Sequence, residues 1–485
     1  MAMGTASKAM GGAGPTDAAR RHAVVHAALL GLAGLLLVLQ HHQVDGQAVP
    51  AKSYSNFTVL RVSPATQEQV TGLLSLDGRP GVDWWTPPRV GAPADVMVSP
   101  EARDAVLQQM NSLGLQWEVL HSDLQQHNGV VDRELAAAQL AGRVAADAYI
   151  DNKRYFLYDE IEDYIKRVAE NHPNRVKVHD IGRTFEGRRM LVVHVSNCPY
   201  CNYTAIWVDA GIHAREWIAP ATALFALSQL AENETAHADM REQLDWYILV
   251  VANPDGYQFT HTTDRMWRKT RSTTSMPGCY GADPNRNFDF HWNEVGASKN
   301  PCSETFAGRN AFSEIEAKNI RTFLWDNRLK IKLYISYHSY GNFILYPWGY
   351  TAENPKDWQT LKSVAMKANE AMVRAGSEPY TIGSSTQTLY AAAGGSDDWA
   401  KGFAGIPLSY TIELPGYKFG FQLPTSYIDA VARQSFEGLR AFASEVKRLR
   451  AVNGPNLTVE TRAFPRRTQQ GRAQAPPTTR AFGRL

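Results

Sequence analysis

The stretch Asp209-Ala-Gly-Ile-His213-Ala-Arg215-Glu216-Trp217 governs how the rest of the chain is read. It follows Ala205–Val208, an apolar run with the composition of a buried strand, and precedes Trp217–Ala231, a helix by its apolar spacing. An imidazole and a carboxylate three residues apart, at the start of that helix, can be aimed at one point. A further donor stands downstream, where Tyr337-His338-Ser339-Tyr340 closes a second apolar strand, Lys332–Tyr337. Two histidines and one glutamate make a catalytic zinc set that leaves a fourth position for water or a substrate carbonyl. Alone, His213 and Glu216 read more readily as a surface pair, and His338 as a satisfied core histidine. Only neighbouring motifs overturn those readings.

Outward from this stretch, strands and helices alternate between Tyr155 and Arg450. Leu191–Val195, Trp246–Val251 and Leu408–Ile412 read as buried strands. Ser313–Asn327, Lys356–Ala375 and Tyr427–Leu449 read as helices. The pattern predicts an α/β fold, a mixed central sheet flanked by helices. Between Ser53 and Leu120 the order β-α-β-β-α-β predicts a small ferredoxin-like α+β unit. That unit carries no cluster of chemistry-bearing residues, which suits a regulatory or folding segment.

The remaining segments differ in composition. Arg20, Arg21 and His22 precede the apolar run Ala27–Leu39, and Gly46 follows it, the pattern of a secretory signal peptide. The run is short of the ~20 residues that span a bilayer. Gly129–Ile150 is polar and Ala-rich, a connecting helix carrying Arg133 and Arg143, and Ala451–Leu485 reads as a disordered basic tail. A chain of 485 residues with 44% hydrophobic content has room for two folded units. Its net charge of +2, without a basic stripe, gives no reason to expect a nucleic-acid partner.

In an oxidising compartment the four cysteines default to disulfides. Cys279 and Cys302 can close a loop of moderate length. Cys198 and Cys201 alone offer zinc only two sulfurs, so a small structural disulfide at a hairpin tip is expected there. Sequons at Asn56, Asn202, Asn233 and Asn456 fit an extracellular glycoprotein.

Six motifs recur in one order: His213-Ala-Arg-Glu216-Trp, Asn253-Pro-Asp-Gly-Tyr257, Arg265-Met-Trp-Arg268-Lys-Thr-Arg271, Asn285-Arg286-Asn287, His338-Ser-Tyr340 and Thr411-Ile-Glu413-Leu. Together they resemble the zinc carboxypeptidase A/B family over Tyr155–Arg450, and more loosely its prosegment from Ser53. The resemblance implies one Zn2+ held by His213, Glu216 and His338, with Asp283 accepting a hydrogen bond from the first histidine. It implies Glu413 as general base and Arg268 as stabiliser of the developing oxyanion. Asn285, Arg286 and Tyr390 match the residues that bind the terminal carboxylate, and the small residues after Tyr390 suit a loop that closes over substrate. Arg215, Tyr340 and Phe421 match further subsites. The stretch from Glu413 to Phe421 is one residue shorter than in well-known members, which bears on the geometry of the rim.

Asp397 matches the base of the pocket for the terminal side chain, where an aspartate implies release of Lys or Arg. An apolar residue there implies the A-type alternative, and Asp397 also reads as a helix cap. Gly349, Ser385, Gly395 and Thr411 leave room for a long side chain. Arg265 and Arg271 read as surface charges. The family frame divides the chain into residues 1–46 (signal peptide), 47–143 (inhibitory prosegment with connecting helix), 144–450 (catalytic domain) and 451–485 (tail). Cleavage by a trypsin-like protease is expected after Arg143, with Arg133 and Arg154 as lesser candidates. The expected product is a secreted monomer acting on peptide or protein C-termini without stable membrane association.

Overall fold

The computed structural model describes residues 51–126, 150, 152–233 and 235–453. The expected signal peptide and tail, and all but Ile150 of the expected connecting helix, lie outside these residues. So do Arg133 and Arg143.

Four strands form the first sheet: β1 (Thr58–Val62), β2 (Val82–Trp84), β3 (Ala94–Val98) and β4 (Trp117–His121). Their order is β2-β3-β1-β4 and every pairing is antiparallel, as the ferredoxin-like reading requires. Its two helices start where the sequence signals them. Thr66 and Gln69 make a reciprocal capping box for Gln67–Leu74, and Ser99 caps Pro100–Ser112 with proline in its first turn.

Eight further strands form a mixed sheet: β5 (Val176–Arg183), β6 (Arg189–Val195), β7 (Thr204–Ala210), β8 (Leu244–Leu249), β9 (Ile331–Ser339), β10 (Phe343–Tyr346), β11 (Thr381–Ser384) and β12 (Leu408–Leu414). They are ordered β11-β10-β12-β9-β7-β8-β6-β5. The central strands β12, β9, β7 and β8 run parallel. All seven residues of β7 are buried, because a parallel centre is covered on both faces. Side-chain alternation sorts the two core layers. In β6, Leu191, Val193 and Val195 face helices Ile218–Glu232, Trp358–Arg374 and Ile428–Asn453, whereas Met190 and Val192 face Ile315–Asn327. Each fully buried aliphatic side chain of this kind stabilises the fold by about 1.5–3 kcal/mol.

Strands β5, β10 and β11 were not foreseen. β5 is an edge strand with charged residues, and β10 and β11 have only four residues each, too few for a period to show. Both expected disulfides are present, Cys198–Cys201 and Cys279–Cys302. The first is not at a hairpin tip: it lies in the link between β6 and β7, which flank β8 instead of pairing. No helix among the described residues is long and apolar enough to cross a membrane.

Candidate active site

His213 and Glu216 lie in the turn between β7 and helix Ile218–Glu232, just before the helix begins. Gly211 makes that turn possible, with φ +65° and a neighbouring Pro220 ring that a Cβ would meet at 2.8 Å. Asn253 then fastens it. Its side chain accepts from Gly256 N–H at the start of the next helix and donates to the carbonyls of Ile212 and Lys269. His338 and Glu413 are the penultimate residues of β9 and β12 and face each other in register. Glu413 is thus within its strand, which runs on to Leu414, two residues past the Ile412 end read from the sequence.

The three donors converge. His213 Nδ1 lies 2.8 Å from Glu216 Oε1, His338 Nδ1 lies 3.1 Å from Glu216 Oε2, and the two Nδ1 atoms are 3.2 Å apart. All three side chains are buried, and they are the only metal-ligand cluster found among the described residues. Two neutral imidazoles facing nitrogen to nitrogen have one hydrogen at most between them, whereas a cation uses both lone pairs. Tetrahedral ligands at zinc–nitrogen distances of ~2.0–2.1 Å lie about 3.3 Å apart, close to what is seen. The donor set fits zinc.

Outside the donors lies a charged scaffold. His213 Nε2 is 3.0 Å from Asp283 Oδ1, and Arg268 donates to Asp283 Oδ2 through Nη2 at 2.7 Å and Nε at 3.2 Å. Burial raises the Asp283 carboxyl, but Arg268, His213 and Arg286 outweigh it and hold the group well below its ordinary value. Asp283 also accepts from Asn285 N–H, so its turn role and its histidine contact coexist. Arg286 donates to the carbonyls of Gly296 and Asn285, and Tyr390 lies over its guanidinium at 5.9 Å. The stretch after Tyr390 is tied in by its backbone. Gly394, at φ +76°, approaches Arg286 so closely that a Cβ would sit 2.4 Å from its carbonyl oxygen. Burial pushes the Glu413 carboxyl up to about 8, with His338 pulling the other way. Glu413 still keeps part of its surface open.

Asp397 is 6% exposed and opens helix Ser396–Gly402. Burial raises its carboxyl, against hydrogen bonds from the Asp398 backbone and the Thr411 hydroxyl. No Lys or Arg forms an ion pair with it among the described residues. Its neighbour Asp398 is a scaffold group that accepts from the N–H of Gly349 and Tyr350. A Cβ on Gly395 would lie 2.9 Å from Asp397 Oδ1, so that glycine leaves the carboxylate open. Gly349 has another cause: a Cβ there would meet the Ala392 carbonyl oxygen at 2.7 Å.

Arg265 and Arg271 are not surface charges. Arg265 stacks on Trp217 at 3.7 Å and donates to the carbonyls of Arg215 and Phe421, while Arg271 stacks on Phe259 at 3.6 Å. Aromatic faces and carbonyls draw these guanidinium groups inward. The shortened rim still brings Phe421 in, with Arg215 over its ring at 4.4 Å.

The small N-terminal unit supplies residues that sequence reasoning missed. Asp83 on β2 accepts from Arg215 Nη1 at 2.6 Å, and Asp95 on β3 accepts from the Tyr340 hydroxyl at 2.7 Å. Trp85 packs edge-on against Phe421 at 5.1 Å. A cavity of about 920 Å³ remains beside them, lined by Asp83 on one side and by Arg286 and Tyr390 on the other. Acids within apolar strands were the available signal, the same one that marked Glu413.

A buried imidazole–carboxylate donor set beside an arginine-lined cleft suits a zinc hydrolase. The zinc carboxypeptidase family model matches residues 161–438 and the carboxypeptidase activation peptide model matches residues 60–127. The chain belongs to the zinc carboxypeptidase family. It is 44% identical over 300 residues to carboxypeptidase B of Astacus astacus, covering 61% of this chain and 99% of that one. It is 35% identical over 401 residues to carboxypeptidase A1 of Bos taurus, covering 81% and 94%. Carboxypeptidase A from Helicoverpa armigera superposes with a TM-score of 0.75 at 31% identity, covering 81% of this chain and 99% of that one. This chain is accordingly a zinc metallocarboxypeptidase with one Zn2+ in its catalytic domain and an activation peptide before it.

Proposed function

We propose that this chain is a secreted zymogen which, after its prosegment is cut away, releases Lys or Arg from the C-termini of peptides. His213, Glu216 and His338 hold the zinc ion. Zinc, when bound, supplies Lewis acidity and lowers the pKa of a water. Glu413 takes a proton from the attacking water and hands it to the leaving amine. Arg268 donates to the developing oxyanion, and Asn285, Arg286 and Tyr390 bind the terminal carboxylate, restricting the reaction to chain ends. Arg215, Tyr340 and Phe421 line the cleft on the upstream side.

The observation that carries the specificity is Asp397, a buried carboxylate without a Lys or Arg ion-pair partner among the described residues. A basic terminal side chain supplies that partner, and a neutral one leaves the carboxylate unpaired. Residues 47–143 act as the prosegment and 144–450 as the catalytic domain, released by a trypsin-like cut after Arg143. Residues 1–46 direct secretion, the tail is 451–485, and the product works as a monomer on free peptides. The test is to treat the chain with trypsin, sequence the new N-terminus and measure hydrolysis of blocked dipeptides ending in Arg or Phe, with and without a zinc chelator. Chelator-sensitive release of Arg alone is expected. Release of Phe alone overturns the specificity, and release of neither overturns the enzyme reading.

A further inference from the structure

The prosegment grips a carboxylate that the reaction described above does not use. Lys52 Nζ lies 3.1 Å from Asp264 Oδ2, the Tyr54 hydroxyl donates to Asp264 Oδ1, and Lys52 N–H donates to the Thr263 carbonyl at 2.7 Å. Tyr54 is fully buried and joins Trp85 and Met97 against Met266 and Phe421.

Asp264 is linked to the cleft through its own backbone. Its Oδ1 accepts from Met266 N–H at 3.1 Å, and the Met266 carbonyl accepts from Arg215 Nη1 at 3.3 Å. Arg265 donates to the Arg215 and Phe421 carbonyls at 3.0 and 2.6 Å. Arg215, Phe421, Met266 and Asp264 therefore form one strip that begins beside Glu216, apolar in the middle and acidic at its outer end. In the intact chain the prosegment covers it with an aromatic ring and a cation. Removing the prosegment uncovers the strip and leaves Asp264 without Lys52.

We propose that in the activated enzyme Asp264 forms an outer subsite that holds a Lys or Arg side chain of the peptide upstream of the bond being cut. Met266 and Phe421 pack against the intervening residue. The proposal rests on the peptide-releasing function given above. It assigns the enzyme a preferred substrate with two cationic residues, one terminal at Asp397 and one upstream at Asp264. Lys52 and Tyr54 fill this subsite in the zymogen with the same chemistry.

The test uses trypsin-activated enzyme and N-blocked peptides that all end in Arg, with Lys walked inward from the third position in an otherwise neutral sequence. One Lys position is expected to raise kcat/KM about fivefold over the all-neutral peptide, chiefly through KM, as a partly screened ion pair would. Added salt should erase the gain, Asp264→Asn should abolish it and Asp264→Glu should keep it. A gain that persists in Asp264→Asn overturns the proposal, as does a wild-type profile flat at every position. Should Asp264→Asn not fold, Glu replaces Lys at the favoured position with wild-type enzyme. A rate below that of the neutral peptide is expected, and an equal rate overturns the subsite. Failure to release Arg from any peptide strikes instead at the underlying function.

Discussion

Asp83 of the prosegment and Arg215 of the catalytic domain form an ion pair at 2.6 Å, with side chains only 14% and 1% exposed. Arg215 immediately precedes Glu216, so the prosegment is anchored one residue from the candidate metal centre. Asp95 holds Tyr340 in the same manner while bound bidentately by Arg61. Both anchors engage side chains that the proposed function puts on the upstream side of the cleft.

Asp83→Asn should loosen the block. Removing one partner of a buried pair costs about 3 kcal/mol, which weakens the prosegment's hold roughly 100-fold. The expected outcome is measurable hydrolysis of a short substrate by the uncleaved variant, where uncleaved wild type is far slower. Equal rates for the two proteins would show that the pair does not hold the prosegment down.

Asp397→Ala should remove the cation-binding group without disturbing the donor cluster. Arg release is expected to fall on the order of 100-fold in kcat/KM, with Phe release unchanged or improved. Metal content, measured on the same sample, should remain at the wild-type level. An unchanged Arg-to-Phe ratio would remove Asp397 from the pocket.

His338→Ala and Glu216→Gln should each lose metal. Elemental analysis after dialysis is expected to find about one zinc per wild-type chain and far less in either variant. Full zinc in both would place the ion elsewhere.

Glu316 predicts a pH effect on stability. Its side chain is buried, accepts from Phe185 N–H through Oε1, and is pushed by burial up to about 7. A carboxyl raised above its unfolded value binds its proton more tightly in the folded chain. The resulting stability is therefore complete below its ordinary pKa and is lost as pH rises through about 7. The shift corresponds to about 3 kcal/mol. Glu316→Gln keeps the acceptor for Phe185 and removes the titration. Between pH 5 and pH 8 the thermal midpoint of wild type should drop relative to the variant. Parallel profiles would contradict this.

The donors were legible through the set of six motifs running from His213 to Glu413, whose order overturns the local reading of His213 and Glu216 as a surface pair and of His338 as a core histidine. The small sheet was legible from local signals, since its helices carry caps and Asn56–Val62 has apolar alternation. Other features depend on contacts between distant segments. Arg265 reads as a surface charge because nothing near it in sequence announces the Trp217 ring or the Phe421 carbonyl. Asp83 and Asp95 were passed over because their partners, Arg215 and Tyr340, lie in the other part of the chain. β10 pairs on the edge of β12 and β11 on the edge of β10, and four residues cannot announce that.

The central claim is zinc-dependent removal of a basic residue from a chain end. It is tested most directly by mass spectrometry of one N-blocked peptide ending in Phe-Arg, incubated with the trypsin-activated enzyme. The account predicts loss of a single Arg, then arrest at the new terminal Phe, with no loss when zinc is chelated. Continued trimming through Phe, internal fragments, or release that ignores the chelator would contradict it.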